Sequence, residues 1–271
     1  MIIGIANIFG KLVRIIYNLC GSNYAVSIIL FTIFTKIVLF PLYLMQIRST
    51  ERMNKIAPED KKIREKYKDD KTKMAEELNK LYAENKINPL GGCLPLLIQI
   101  PLVIAMLYIV KQPLTYIIQM PQEQIKTYAQ ELLQKEDVTT AEIANNEILI
   151  SNKYDIINMN FLGLNFGDIP SNVFNKDDAK KANPISILIP ILTVILTILQ
   201  TKQMNKNTSM TDEQKEMQKT NNLIFPIFSG MISYYTPLAL GIYWLIGSIL
   251  QILQQYYIYY IIKKDKMKES V

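Results

Sequence analysis

Residues 24–45 read YAVSIILFTIFTKIVLFPLYLM, an apolar run broken by a single charge, Lys36. Crossing a bilayer takes ~20 apolar residues at ~1.5 Å of rise each, so the run is long enough to span. Lys36 stands twelve positions after Tyr24 and nine before Met45, which leaves neither interface within easy reach of its stem. Snorkelling is the plain alternative for a long cationic side chain. A lone ammonium at mid-span costs roughly 2.5–3.5 kcal/mol on insertion scales, so such a charge faces a watery cavity or a partner and marks a functional site.

The whole chain fits a membrane protein. Of 271 residues, 49% are hydrophobic and 20% are charged, too apolar for an average soluble domain and too charged for a chain lying wholly in lipid. Spans joined by charged extramembrane segments are expected. The net charge of +6 then reports cytoplasmic loops before it reports nucleic acid, and no DNA partner is expected. The absence of histidine removes imidazole-ligated zinc and imidazole bases. Cys20 and Cys93 lie far apart beside apolar segments, with neither a disulfide framework nor metal spacing. No nucleotide motif is present. The chain is therefore not expected to be an enzyme, and no cofactor or metal is expected.

The spans set the organisation. Residues 1–21 form an amphipathic helix in the outer interface, because Asn7, Lys11, Arg14 and Asn18 recur at four, three and four. A secretory signal would carry its charges before the apolar core. Transmembrane helices are expected at 22–46, 90–110, 184–203, 221–237 and 238–262. Between them fall a helical hairpin (47–89), a long segment (111–183) and a loop (204–220), followed by a basic tail (263–271). Lysine and arginine crowd 47–89, 204–220 and the tail, whereas 111–183 is richer in acids. The positive-inside rule puts the N-terminus outside and the C-terminus in the cytoplasm of a bacterial plasma membrane. In the hairpin, Met53, Ile56, Ile63 and Tyr67 face Met74, Leu78, Leu81 and Tyr82 across a charged turn at 68–71. Pro58 leaves the start of its first arm open.

Polar residues recur on single faces of the spans. Thr32, Lys36 and Tyr43 share one face. Thr193, Thr197 and Gln200 mark another, and Asn222, Pro226, Ser229, Ser233 and Thr236 a third. Trp244, Ser248, Gln251 and Gln255 mark the last, and Gln99 stands alone in the second span. Each stripe by itself has a bland explanation in hydrogen bonding between packed helices. Together with a buried charge they suggest one polar intramembrane groove. Its candidate residues are Lys36, Thr32, Gln99, Thr197, Gln200, Ser229, Ser233, Tyr243, Trp244, Ser248 and Gln251. The expected architecture is thus all-α and polytopic, with five transmembrane helices around that groove. A small-solute transporter or channel would use the same charged cavity. An intramembrane hydrolase and a purely structural scaffold are weaker alternatives.

Several strings carry a family resemblance. Residues 29–36 (ILFTIFTK) with Pro41-Leu42, and above all residues 88–101 (NPLGGCLPLLIQIP), resemble consecutive spans of YidC/Oxa/Alb membrane protein insertases. Phe161-Leu162-Gly163-Leu164, Gly241-Ile242-Tyr243-Trp244 and Ile252-Leu253-Gln254-Gln255-Tyr256 are similar to later segments of that family. The chain looks like the five-span Gram-positive type. The resemblance implies a groove open to cytoplasm and lipid and closed to the outside. It places the family's central basic residue, usually arginine, on Lys36, and further groove positions on Gln200 and Trp244. Lysine keeps the charge but loses the planar fork. The implied partners are nascent membrane proteins and the bilayer. They extend to the ribosome through the basic tail and the 202–220 link, and to the Sec translocon or targeting factors through the 46–89 hairpin.

Overall fold

The chain is described over residues 2–87, 94–175, 181–205 and 212–269 in a computed structural model, and these residues are mostly helical. Helix α1 (Ile2–Leu19) ends where Gly21 takes a left-handed φ of 65° and the Ser22 N–H donates back to the Tyr17 carbonyl at 3.0 Å, a glycine stop. Asn23 caps α2 (Tyr24–Val38), its side-chain oxygen accepting from the Val26 N–H at 3.0 Å. α2 stops before Pro41, which has no N–H for the Ile37 carbonyl and whose ring would clash with it. The chain resumes as α3 (Phe40–Lys66), bent 50° from α2.

This moves a boundary. A first span ending at 46 and a hairpin beginning at 47 are not separated by a break, because α3 runs through both. The break is dictated by Pro41, and Pro58 lies inside α3. Beyond the turn at 67–70, Asp70 caps α4 (Lys71–Glu84) by accepting from the Lys73 N–H at 3.0 Å. The two arms pack through Ile56, Leu81 and Ile87, with Met53, Ile63 and Tyr82 beside them. Asp60, buried between the arms, accepts from Arg64 Nε at 2.6 Å and from the Tyr82 hydroxyl.

The glycine-rich string 88–93 of the family resemblance lies outside the described residues. α5 (Leu94–Lys111) carries Pro101 in its interior and leads into a wide π-helical turn, Leu114–Ile118. Then come α6 (Gln122–Leu133), α7 (Thr140–Lys153) and a hairpin of β1 (Asn160–Phe161) with β2 (Leu164–Asn165), in which Asn160 opposes Asn165. α7 starts with a capping box between Thr139 and Glu142. Residues 111–175 therefore have their own secondary structure, and the buried Ile125, Ile143, Ile150 and Met159 share one core with Val13 of α1 and Met106 of α5.

α1 is held within this assembly. Ala6, Gly10, Val13 and Tyr17 face α2, α5 and the 114–118 turn. Gly10 is needed there, because a Cβ would come within 2.7 Å of the Tyr116 carbonyl oxygen. Asn7, Lys11 and Asn18 remain exposed, as do Ile8, Ile15 and Leu19.

The last three helices form the other half. Asn183 caps a 3₁₀ turn, Pro184–Ile187, that feeds α8 (Leu188–Asn205). α9 (Asp212–Tyr235) and α10 (Leu238–Glu269) follow. α9 begins inside the loop expected at 204–220, and α10 continues through 262 into the expected tail. Residues 263–269 are good helix formers with neither glycine nor proline to stop them. Among the described residues, Pro184–Gln203 and Leu238–Lys264 are each long and apolar enough to cross a membrane, and the bent α2–α3 pair makes a third if it counts as one span. α10 is the hub, touching α2, α3, α5, α8 and α9. Outward faces of α8 and α9 expose Ile191, Leu192, Ile195, Ile227, Phe228 and Met231. So large an apolar exterior is unfavourable in water and natural in lipid.

Candidate functional site

The last turn of α2 presents Lys36 to α10. Its ammonium donates to the Gln251 side-chain oxygen at 2.8 Å. The ammonium is donor-only, so the amide must turn its oxygen toward it. One turn earlier on α10 stands Gly247, where a Cβ would lie 3.3 Å from Lys36 Cε and 3.8 Å from Nζ. The lysine stem thus crosses α10 at a residue without a side chain. The Lys36 carbonyl, in the turn where helix carbonyls lose their partners, accepts from Gln254 Nε2 at 2.9 Å. Gly247, Gln251 and Gln254 recur at four and three, one face of α10. Among the described residues the hydrogen-bond partner of the ammonium is a neutral amide, so no carboxylate cancels its charge.

The structure sorts the other candidates into groups. Thr32 is buried one turn before Lys36, near Gly247, and donates to the Ile28 carbonyl at 2.7 Å. The buried Tyr43 hydroxyl faces the Gln251 amide. These residues form one cluster at the α2–α10 crossing. A second lies between α8 and α9. There Ser229 donates to the Pro226 carbonyl at 2.8 Å with Thr197 Oγ1 at 3.2 Å, and Thr197 donates to the Thr193 carbonyl at 2.7 Å. A third lies between α5 and α10, where Gln99 approaches the buried Tyr243 hydroxyl. Ser233 packs its hydroxyl against Gly241, and Trp244 lies 5.9 Å, ring to ring, from Phe225. Gln200 and Ser248 are buried. All the clusters border α8, α9 or α10, and among the described residues they are separate sets of contacts rather than one hydrogen-bonded network.

Several buried polar atoms in these helices, among them the Thr193, Ser233 and Tyr243 hydroxyls and the Gln255 side-chain oxygen, lack a hydrogen-bond partner among the described residues. Such atoms are costly in a dry interior.

Two residues of the Lys36 cluster are absent from the candidates drawn from sequence, Gly247 and Gln254. The signal was present, since both share a helical face with Gln251. The stripe read instead, Trp244–Ser248–Gln251–Gln255, also contains Gln251 but runs along the neighbouring face.

Outside the spans, Glu147 of α7 is buried and accepts from the Thr115 backbone N–H at 2.9 Å and the Thr115 hydroxyl at 2.6 Å. Burial pushes its carboxyl up to about 7. At the far end of α9, the turn into α10 is tied to the long segment. The Leu238 N–H donates to the Asp168 carbonyl at 2.7 Å and the Ala239 N–H to the Phe166 carbonyl at 2.9 Å.

The apolar, lipid-compatible exterior and the helical architecture define an all-α membrane protein. Residues 15–266 match the family model described as 60Kd inner membrane protein, and the chain belongs to that family, which meets the kinship expected from the 88–101 string. Three similar relatives carry the name Membrane protein insertase YidC. One from Caldanaerobacter subterraneus subsp. tengcongensis is 30% identical, over 93% of this chain and 92% of the relative. One from Clostridium perfringens is 28% identical, over 92% and 84%. One from Oceanobacillus iheyensis is 30% identical, over 89% and 77%.

Proposed function

We propose that this chain is a membrane protein insertase that receives nascent membrane proteins in a polar groove around Lys36. Membership of the family and the insertase name of its relatives support the general activity. The observation that carries the mechanism is the Lys36 ammonium, half-buried among helices and paired, among the described residues, with a neutral amide.

Inserting a small membrane protein requires a polar outer tail to pass hydrocarbon, which is costly for every unpaired polar group. Serine, threonine and glutamine side chains on α8, α9 and α10 offer partners along part of that path. Lys36 attracts acidic residues of the tail, more strongly in a partly dry site than in bulk water. The substrate's apolar helix then leaves sideways into lipid, driven by ~0.8 kcal/mol per buried CH₂. The groove comprises the eleven candidate residues named from sequence, now joined by Gly247 and Gln254. Five spans enclose it, with the hairpin of α3 and α4 and the C-terminal end of α10 in the cytoplasm and residues 111–183 outside. The hairpin receives targeting factors or the Sec translocon, and the basic end of α10 approaches the ribosome electrostatically. The contact between the 236–239 turn and residues 166–168 supports an outer face that is closed.

Reconstitution with a single-span substrate bearing an acidic outer tail tests this reading. Lys36→Glu is expected to lower insertion by about tenfold or more, a loss of ~1.4 kcal/mol or greater, while Lys36→Arg is tolerated. Unchanged insertion by Lys36→Glu would overturn the charge mechanism.

A further inference from the structure

Lys36 does not wait free for its substrate. Its ammonium is already engaged by Gln251, its stem lies over Gly247 and its backbone carbonyl is held by Gln254. All three partners belong to one face of α10, so the position of the charge is set by that helix and not by α2 alone. The three contacts differ in chemistry. Gly247 removes an obstacle and Gln254 holds the backbone, but Gln251 occupies the ammonium itself. The ammonium has three N–H donors, and an acceptor that holds one of them competes with an incoming carboxylate for the orientation and the charge of the group. The carboxylate forms the stronger, charge-assisted bond, while the amide is preorganised and costs no desolvation of an incoming anion.

We propose that Gln251 is a resting acceptor for Lys36 which competes with an acidic residue of the substrate, so that Gln251 sets how strongly the groove selects acidic tails. This rests on the insertase reading above and assigns Gln251 a positioning and specificity role within it. A neutral amide is the suitable holder. An acidic residue in its place would pair permanently with Lys36 and exclude substrate. An apolar one would leave the ammonium without an acceptor and ready to take any carboxylate that arrived. The competition also explains release, because the amide favours the resting orientation of the ammonium once the tail has passed.

The test uses the full-length protein in proteoliposomes and two single-span substrates that differ only in whether their outer tail carries aspartates or asparagines. The readout is the ratio of acidic-tail to neutral-tail insertion. For Gln251→Glu the ratio is expected to fall about tenfold, and for the apolar isostere Gln251→Met to rise by a few-fold. The double variant Lys36→Gln/Gln251→Lys, which exchanges the two groups, is expected to recover part of the ratio lost in Lys36→Gln. Loss of both substrates in proportion by Gln251→Glu and Gln251→Met would show a structural role only and overturn the proposal. An unchanged ratio in both variants, with a ratio still lost in Lys36→Glu, would also overturn it while leaving Lys36 as the receiving charge. An unchanged ratio in Lys36→Glu itself would instead remove the groove reading on which the proposal stands.

Discussion

Glu147 holds Thr115 by two bonds at once, its carboxylate accepting the backbone N–H at 2.9 Å and the hydroxyl at 2.6 Å. This ties α7 to the start of the turn that follows α5, the turn whose Tyr116 lies against Gly10 of α1. One buried carboxylate therefore links three elements that lie far apart in sequence.

The clasp has a pH signature. Burial raises the carboxyl to about 7 in the folded protein, against ~4.3 for an unfolded glutamate. The folded state then binds more protons than the unfolded state between these values, so stability is highest at the acid end and falls as pH rises through about 7. Glu147→Gln keeps an acceptor for the N–H and offers an amide to the hydroxyl, without a charge to bury. Its thermal unfolding in detergent is expected to lose much of the dependence on pH between ~4.5 and ~7, and to match or exceed the wild type at neutral pH. An unaltered pH profile in this variant would remove Glu147 as the source.

Thr115→Val tests the same clasp from the other side. It deletes the hydroxyl donor while keeping shape, leaving one carboxylate oxygen short of a partner. A cost of ~1–3 kcal/mol is expected, read as a lowered unfolding midpoint. The loss should shrink in the Glu147→Gln background, because an amide is less costly to leave partly unpaired than a buried charge. Equal losses in both backgrounds would mean the two groups are not coupled.

α1 depends on a close approach. Gly10→Leu would drive a side chain into the Tyr116 backbone, and overpacking of this kind costs ~1–3 kcal/mol. α1 is expected to lift from α5, seen as faster proteolysis within residues 2–19 with little change in the hairpin of α3 and α4. Wild-type protection of α1 in this variant would show that the helix is held by lipid and not by this contact.

The hairpin has its own lock. Asp60 is 2% exposed and holds both Arg64 and Tyr82. Asp60→Ala is expected to cost ~1–3 kcal/mol of local stability, below the value for a fully buried pair because Arg64 is partly in water. Hydrogen exchange across 71–87 should accelerate while α8 and α10 stay protected. Uniform acceleration over the whole chain would contradict a local lock.

The fold was partly legible in the sequence because lipid imposes simple demands. An apolar run of sufficient length with a helical period has few alternatives, so α8, α10 and the charged α2 stood out. Gly21 announced a break through its own backbone chemistry, whereas the bend before Pro41 fell inside a run read as one continuous span. The hairpin arms were visible as two apolar periods, but Pro58 obscured where the first arm began, because a proline within a helix interior looks the same in sequence as one at its edge. Order in residues 111–175 was hidden, since their packing onto α1 and α5 uses ordinary isoleucines whose partners are remote.

What the sequence determined by itself is the presence of a charge where lipid cannot tolerate one, at Lys36, and the polar faces of the helices around it. Periodicity is a local property and survives in one dimension. What only the tertiary structure decided is which of two adjoining faces of α10 meets that charge, and that the buried Glu147 reaches Thr115. Both depend on how helices cross, and crossing is set by side chains from separate parts of the chain filling the same space.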